Sequence, residues 1–186
     1  SIKACEILHT LEVPAWKIAS GEVNNTELIR HLLTYRQPLI FSTGLYQAED
    51  IETLSYAVSE RVPFAVLHCT TQYPTPLTEV GLNNISCLLS HAGKFIVGIS
   101  DHSASPIVGP LAVSMGSTIV EAHLTFHKGC FGPDTSASLD PEEFSNMAEY
   151  CHAAYILRTS PTDKSKQMNQ QQENLTTFGR SLVASI

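Results

Sequence analysis

Apolar residues along this chain fall into two periodicities that alternate. Ile2, Cys5, Leu8 and Leu11 recur at helical spacing and stop before Pro14, which predicts a helix over 2–12. Pro14 to Ser20 reads as a short strand closed by Gly21. Asn24 followed by Glu27 then predicts a helix N-cap, with Leu28, Ile29, Leu32 and Leu33 as the buried face. The alternation continues with a strand over 38–42, a helix striped by Ile51, Leu54 and Val58, and a strand over 64–69. Pro74 and Pro76 forbid that strand from continuing and fix an extended loop. A helix around 83–91, a strand over 95–100, a helix over 105–115 and a strand over 118–121 follow. Asp140-Pro141-Glu142-Glu143 is a strong helix start, and that helix runs to about Leu157.

Five strands alternating with helices make repeated βα units and therefore a parallel sheet. An open doubly wound sheet and a (β/α)8 TIM barrel both have that pattern. Polar residues recur after every strand end: Lys17, Ser20 and Glu22, then Ser42 and Thr43, Thr71 and Tyr73, Ser100 and His102, Glu121 and His123. An open sheet binds at one switch point, so only a pair of strands should carry such residues, and the barrel is the better fit. A full barrel takes about 250 residues. The expectation is therefore the second part of a barrel, about five βα units over residues 1–159, lacking an N-terminal portion. The Gln/Asn/Lys/Ser-rich stretch within 160–186 reads as a polar linker and tail.

Composition narrows the function classes. The net charge of −7 and the lack of a basic, aromatic-interleaved patch argue against nucleic-acid binding, so an anionic substrate must be held by a few local cations. No apolar run approaches the roughly 20 residues of a membrane span and no basic-then-apolar leader is seen, which gives a cytoplasmic expectation. The 5 cysteines are scattered without a C-x-x-C pair, so reduced thiols are expected.

Candidate chemistry lies at the strand ends. Alternate residues of a strand share a face, so Ser100 and His102 point one way, as do Glu121 and His123. Two imidazoles with a carboxylate nearby point to a divalent-metal site completed by substrate oxygen and water. Either histidine alone reads equally as a hydrogen-bonded structural residue. Asp101 and Glu121 orient ligands or bind directly. Lys17 interrupts an apolar strand, where a charge is costly unless an anion neutralises it, and so reads as a phosphate or carboxylate anchor. Its bland alternative is a snorkelling rim lysine. Tyr73 closes a pocket or packs on proline, and Glu22 carries a proton or binds a hydroxyl. His68 has the opposite parity to Cys69 and Thr71 and is expected to face the helices.

These strand ends resemble the sialic acid synthase family, which includes N-acetylneuraminate synthase and the legionaminic and pseudaminic acid synthases. The matching stretches are KIASGE (17–22), FSTG (41–44), LHCTTQYPTP (67–76), GISDH (98–102), IVEAH (119–123) and GPDTSASLDPEEF (132–144), in family order, with GRSLVA (179–184) resembling the barrel's end. The resemblance implies condensation of phosphoenolpyruvate with an N-acylated amino-hexose of the N-acetylmannosamine type. It implies a divalent cation, usually Mn2+, with Mg2+ or Co2+ as substitutes. By position it gives His102 and His123 to the metal, and Lys17, Ser20, Ser42, Thr71 and Ser100 to phosphoenolpyruvate. Glu22, Tyr73, Glu121 and Asp134 fall to the sugar and metal pocket. Thr71 stands where some relatives have Asn, and Ala122 where relatives often carry Arg or Lys. The family's first three strands and its C-terminal antifreeze-like domain, which lends an arginine to the partner subunit's site in a homodimer, have no counterpart here. The alternative function class is a catalytically incomplete half-barrel acting as a binding module or taking strands from another chain.

Overall fold

The computed structural model describes residues 1–44, 48–91 and 95–161. The expected polar linker from residue 162 onward, the tail and the GRSLVA stretch lie outside the described residues. Six strands form one sheet in chain order: β1 (Trp16–Ile18), β2 (Leu39–Ser42), β3 (Phe64–Cys69), β4 (Ile96–Asp101), β5 (Ile119–Leu124) and β6 (Ser138–Leu139). Every neighbouring pair is parallel. The helices are α1 (Ile2–His9), α2 (Thr26–Thr34), α3 (Ala48–Val58), α4 (Asn83–Ser90), α5 (Val108–Met115) and α6 (Pro141–Thr159). No described helix is long and apolar enough to cross a membrane.

Strand order equal to chain order has no reversal, so the doubly wound alternative and its switch point are gone. The sheet also curls. In a flat sheet β1 and β5, four strand spacings apart, would be separated by about 19 Å. Lys17 Nζ on β1 nevertheless lies 3.2 Å from Glu121 Oε1 on β5. Only a sheet bent into a cup brings them together, and the architecture is a partial (β/α) barrel.

The core sits on the convex face. Trp16, Ile18, Leu39, Phe41, Phe64, Val66, Val97 and Ile99 alternate onto that face and pack against helix residues such as Ile29, Leu32, Leu54, Ile85 and Ala112. The interleaved positions turn into the cup, and register joins Ser42 to Leu67, Leu67 to Gly98 and Gly98 to Ile119 in one row. Gly98 is needed there because a Cβ would lie 2.6 Å from the Ile119 carbonyl oxygen. One row higher, Cys69 aligns with Ser100 and Ser100 with Glu121.

Several sequence expectations shift, beginning with α1, which stops at His9 rather than running to 12. The cap of α2 is Asn25 rather than Asn24: its side chain accepts from Leu28 N–H at 3.1 Å and donates to Glu22 Oε2 at 2.8 Å. Helix α5 starts at Val108 rather than 105, after a turn in which Val108 N–H bonds the Ser105 carbonyl. Strand β5 runs on to Leu124, and a sixth strand follows, because His123 and Leu124 pair with Ser138 and Leu139. The start of α6 is as expected, a reciprocal cap of Asp140 and Glu143 with Pro141 at the first turn.

Candidate active site

The C-terminal ends of β1 to β5 open onto one rim of the cup, where a barrel carries its functional side chains. Lys17 Nζ donates to Ser42 Oγ at 2.8 Å and lies against Glu121 Oε1. Ser100 Oγ donates to the same Glu121 oxygen at 2.6 Å. Ser42, Lys17, Glu121 and Ser100 thus form one polar arc across β2, β1, β5 and β4. Lys17 and Glu121 keep 32% and 41% of their side chains exposed, so a ligand can reach them. Ser20, buried in the turn after β1, accepts from Gly44 N–H at 3.0 Å. A Cβ at Gly44 would meet Thr71 Oγ1 and Ser20 Oγ, which places Thr71 beside this arc.

The imidazoles occupy the other side. His102 is 5% exposed and donates Nδ1–H to the Thr70 carbonyl at 2.9 Å. That bond fixes the proton on Nδ1 and leaves Nε2 with its lone pair. Burial, reinforced by His123, holds the His102 pKa below its ordinary value. The His102 and His123 ring centroids are 5.3 Å apart, and Tyr73 stacks on His102 at 4.0 Å with its edge towards His123 at 5.7 Å. Burial raises the Tyr73 phenol, with Cys69, Asp134 and Glu121 adding to it. This spacing suits two imidazoles sharing one ion through N–metal bonds of roughly 2.1 Å. Among the described residues no group of three or more His, Cys, Asp or Glu is placed to hold a metal ion.

Nine of the eleven residues singled out from sequence therefore gather at one rim: Lys17, Ser20, Ser42, Thr71, Tyr73, Ser100, His102, Glu121 and His123. Glu22 and Asp134 stand apart. Glu22 is exposed and held by Asn25, while Asp134 lies exposed in the loop between β5 and β6, near enough to Tyr73 to act on its charge. Asp101 turns away from the rim, its carboxylate accepting from Ser103 N–H at 3.1 Å and Ser103 Oγ at 2.7 Å. Burial raises the Asp101 pKa. His68 faces the helices as its parity requires, buried against the Val80 carbonyl. Two groups escaped sequence reasoning. Cys69 Sγ lies 3.9 Å from His102 Nδ1 in the row of Ser100 and Glu121, its thiol pKa raised by burial, and its parity with Leu67 would have shown it. The Thr70 carbonyl belongs to the backbone and has no side-chain signature.

The sequence profile of the NeuB family matches residues 1–162. The N,N'-diacetyllegionaminic acid synthase of Campylobacter jejuni is 31% identical over 188 residues, covering 98% of this chain and 55% of that protein. The N-acetylneuraminate-9-phosphate synthase of Drosophila melanogaster is 34% identical over 147 residues, covering 78% of this chain and 40% of the relative. The chain thus spans about half the length of the curated relatives it matches. A crystal structure of N-acetylneuraminic acid synthetase from Leptospira borgpetersenii superposes with a TM-score of 0.84 at 26% identity, over 95% of this chain and 63% of that one. A truncated 3-deoxy-D-arabino-heptulosonate 7-phosphate synthase from Thermotoga maritima, at 13% identity and a TM-score of 0.61, shares the fold alone. A profile match that spans all the described residues, named synthases among the relatives and a shared partial barrel lead to one conclusion: the chain belongs to the NeuB family.

Proposed function

We propose that this chain carries the phosphoenolpyruvate- and metal-binding strands of a synthase that condenses phosphoenolpyruvate with an N-acylated amino-hexose of the N-acetylmannosamine type. The products are a nine-carbon 2-keto sugar acid and phosphate. The observation that carries this reading is the meeting of the polar arc around Lys17 with the paired imidazoles of His102 and His123 on one concave face. Its support from comparison is the synthase names of the relatives.

In this reading Lys17 supplies the cation for the phosphate or carboxylate, and Ser42 and Ser100 donate hydroxyls beside it. Ser20 and Thr71 shape the neighbouring wall. His102 and His123 would hold Mn2+, with substrate oxygen and water filling the remaining positions. The ion's contribution when bound is Lewis-acid polarisation of the sugar aldehyde. The methylene carbon of phosphoenolpyruvate forms the new bond to the aldehyde carbon. Water adds at the carbon bearing the phosphate, and phosphate leaves with its bridging oxygen. Glu121 stands next to Ser100 to move protons, Tyr73 covers the imidazoles, and Glu22 and Asp134 reach the sugar from the exposed turns. The homodimer expected for the full-length protein belongs to this reading.

Titration with Mn2+, followed by loss of the free-ion resonance, and calorimetric titration with phosphoenolpyruvate test it directly. Wild type should bind both. His102→Ala with His123→Ala should abolish Mn2+ binding, and Lys17→Met should weaken phosphoenolpyruvate binding by tenfold or more, roughly the loss of a hydrogen-bonded charge contact. Mn2+ binding that survives the double substitution would falsify the metal assignment. Phosphoenolpyruvate binding indifferent to Lys17 would overturn the anchor.

A further inference from the structure

We propose that His68 is a positioning residue for the rim imidazole His102, acting through the loop between β3 and α4. It matters to catalysis only if His102 holds the ion as proposed above, whereas its geometric part stands alone. His68 is 6% exposed on the convex side of β3, away from the rim. Its Nε2 lies 2.6 Å from the Val80 carbonyl oxygen. A carbonyl only accepts, so Nε2 carries the proton. Thr70, just past the end of β3, donates its Oγ1 to the Glu79 carbonyl at 3.0 Å. These two bonds draw the ends of the 70–80 segment together into a closed surface loop.

That loop touches His102 in three ways. The Thr70 carbonyl accepts Nδ1–H at 2.9 Å, Tyr73 stacks on the ring at 4.0 Å, and Thr75 N–H donates to the His102 carbonyl at 3.0 Å. All three groups lie beyond Cys69, the last residue of β3, so the strand ladder does not place them. Gln72 N–H also bonds the Thr70 carbonyl at 3.0 Å within the loop, and the tie at the base holds that loop against the strand. With that tie released, the Thr70 carbonyl drifts and Nδ1 loses its acceptor. The ring then samples both tautomers, and Nε2 presents its lone pair only part of the time.

Two variants separate this role from plain stabilisation. His68→Gln keeps an N–H donor at the reach of Nε2, and His68→Asn carries the same amide one methylene short of Val80. The full chain, labelled with 15N-histidine and free of metal at near-neutral pH, reports the His102 tautomer through long-range proton–nitrogen correlations. Wild type and His68→Gln should show protonated Nδ1 alone. His68→Asn should show a mixture, together with Mn2+ binding weaker by about tenfold, the low end of the usual effect of an outer partner on metal affinity. A single tautomer in both variants, or a mixture in both, overturns the proposal, because neither outcome follows the donor. Should His68→Asn fail to fold, Thr70→Val removes the Oγ1 bonds to the Glu79 carbonyl at 3.0 Å and the Val80 carbonyl at 3.5 Å while leaving His68 in place: a minor Nε2–H population supports the latch, and an unchanged tautomer refutes it. Wild type that binds no Mn2+ sinks the metal reading and leaves the latch standing. Where wild type binds Mn2+, equal binding by His68→Asn overturns the claim that the latch serves the ion, and the tautomer decides the geometric part.

Discussion

Gly98→Ala puts the packing of the cup to a quantitative test. A methyl built at Gly98 points into the cup and meets Leu67 Cδ2 at 2.4 Å, the Ile119 carbonyl oxygen at 2.6 Å and Ile119 Cβ at 2.9 Å. Leu67 can rotate away, but the Ile119 carbonyl is backbone of β5. An ordinary carbon–oxygen contact is about 3.3 Å or longer, so β5 must retreat by roughly 0.7 Å. That retreat stretches the β4–β5 ladder next to Ser100 and Glu121, whose hydrogen bond at 2.6 Å spans the same two strands. Overpacking of this kind costs about 1–3 kcal/mol, partly offset by about 0.5–1 kcal/mol from stiffening the unfolded chain. A net loss near 1 kcal/mol lowers Tm by roughly 2–4 °C in a chain of this size. Gly21→Ala is the matched control, because nothing lies within 4 Å of a Cβ there. Scanning calorimetry of the two variants decides. Equal Tm values for Gly98→Ala and Gly21→Ala would mean that β4 and β5 do not approach as described.

Further expectations concern charge and caps. Asp140→Ala removes the cap that receives Glu143 N–H at 2.9 Å and should lower stability by about 1 kcal/mol, read in urea unfolding. Burial holds His68 below its ordinary pKa of 6.5, so between that value and the lowered one the unfolded chain binds more protons than the folded one. Stability contributed by His68 is therefore present above pH 6.5 and is lost as pH falls through that window, and His68→Gln should flatten this part of the profile. Identical pH slopes for the two proteins would refute the assignment. Glu121→Gln frees Lys17 from a half-exposed ion pair and should tighten inorganic phosphate binding roughly two- to fivefold, as expected for a pair worth up to about 1 kcal/mol. Weaker phosphate binding in that variant would show that Glu121 does not compete for Lys17.

What the sequence made legible was local and periodic. Ser100 with His102 and Glu121 with His123 are two residues apart on strands, so their shared face follows from the pleat alone. Lys17 stood out because a buried strand has no use for an ammonium. Contacts between distant segments were not legible. That Lys17 reaches Glu121 depends on curvature summed over four strand pairings, which no window of residues encodes. Strand β6 is two residues flanked by Ala137 and Asp140, too short to show an alternation. Asn24 and Asn25 are equally good caps by type, and the bond from Asn25 to Glu22 decides between them. The Thr70 carbonyl that sets the His102 proton is invisible to any reading by side-chain type.

If Lys17 anchors an anion as proposed above, its ion pair with Glu121 makes anion uptake at this rim an exchange instead of an addition. Glu121 would then act as a built-in placeholder, its carboxylate already 3.2 Å from the Lys17 ammonium. An anion that settles on Lys17 evicts a carboxylate already within electrostatic reach of His102. Filling one end of the cup would thereby release a carboxylate towards the other.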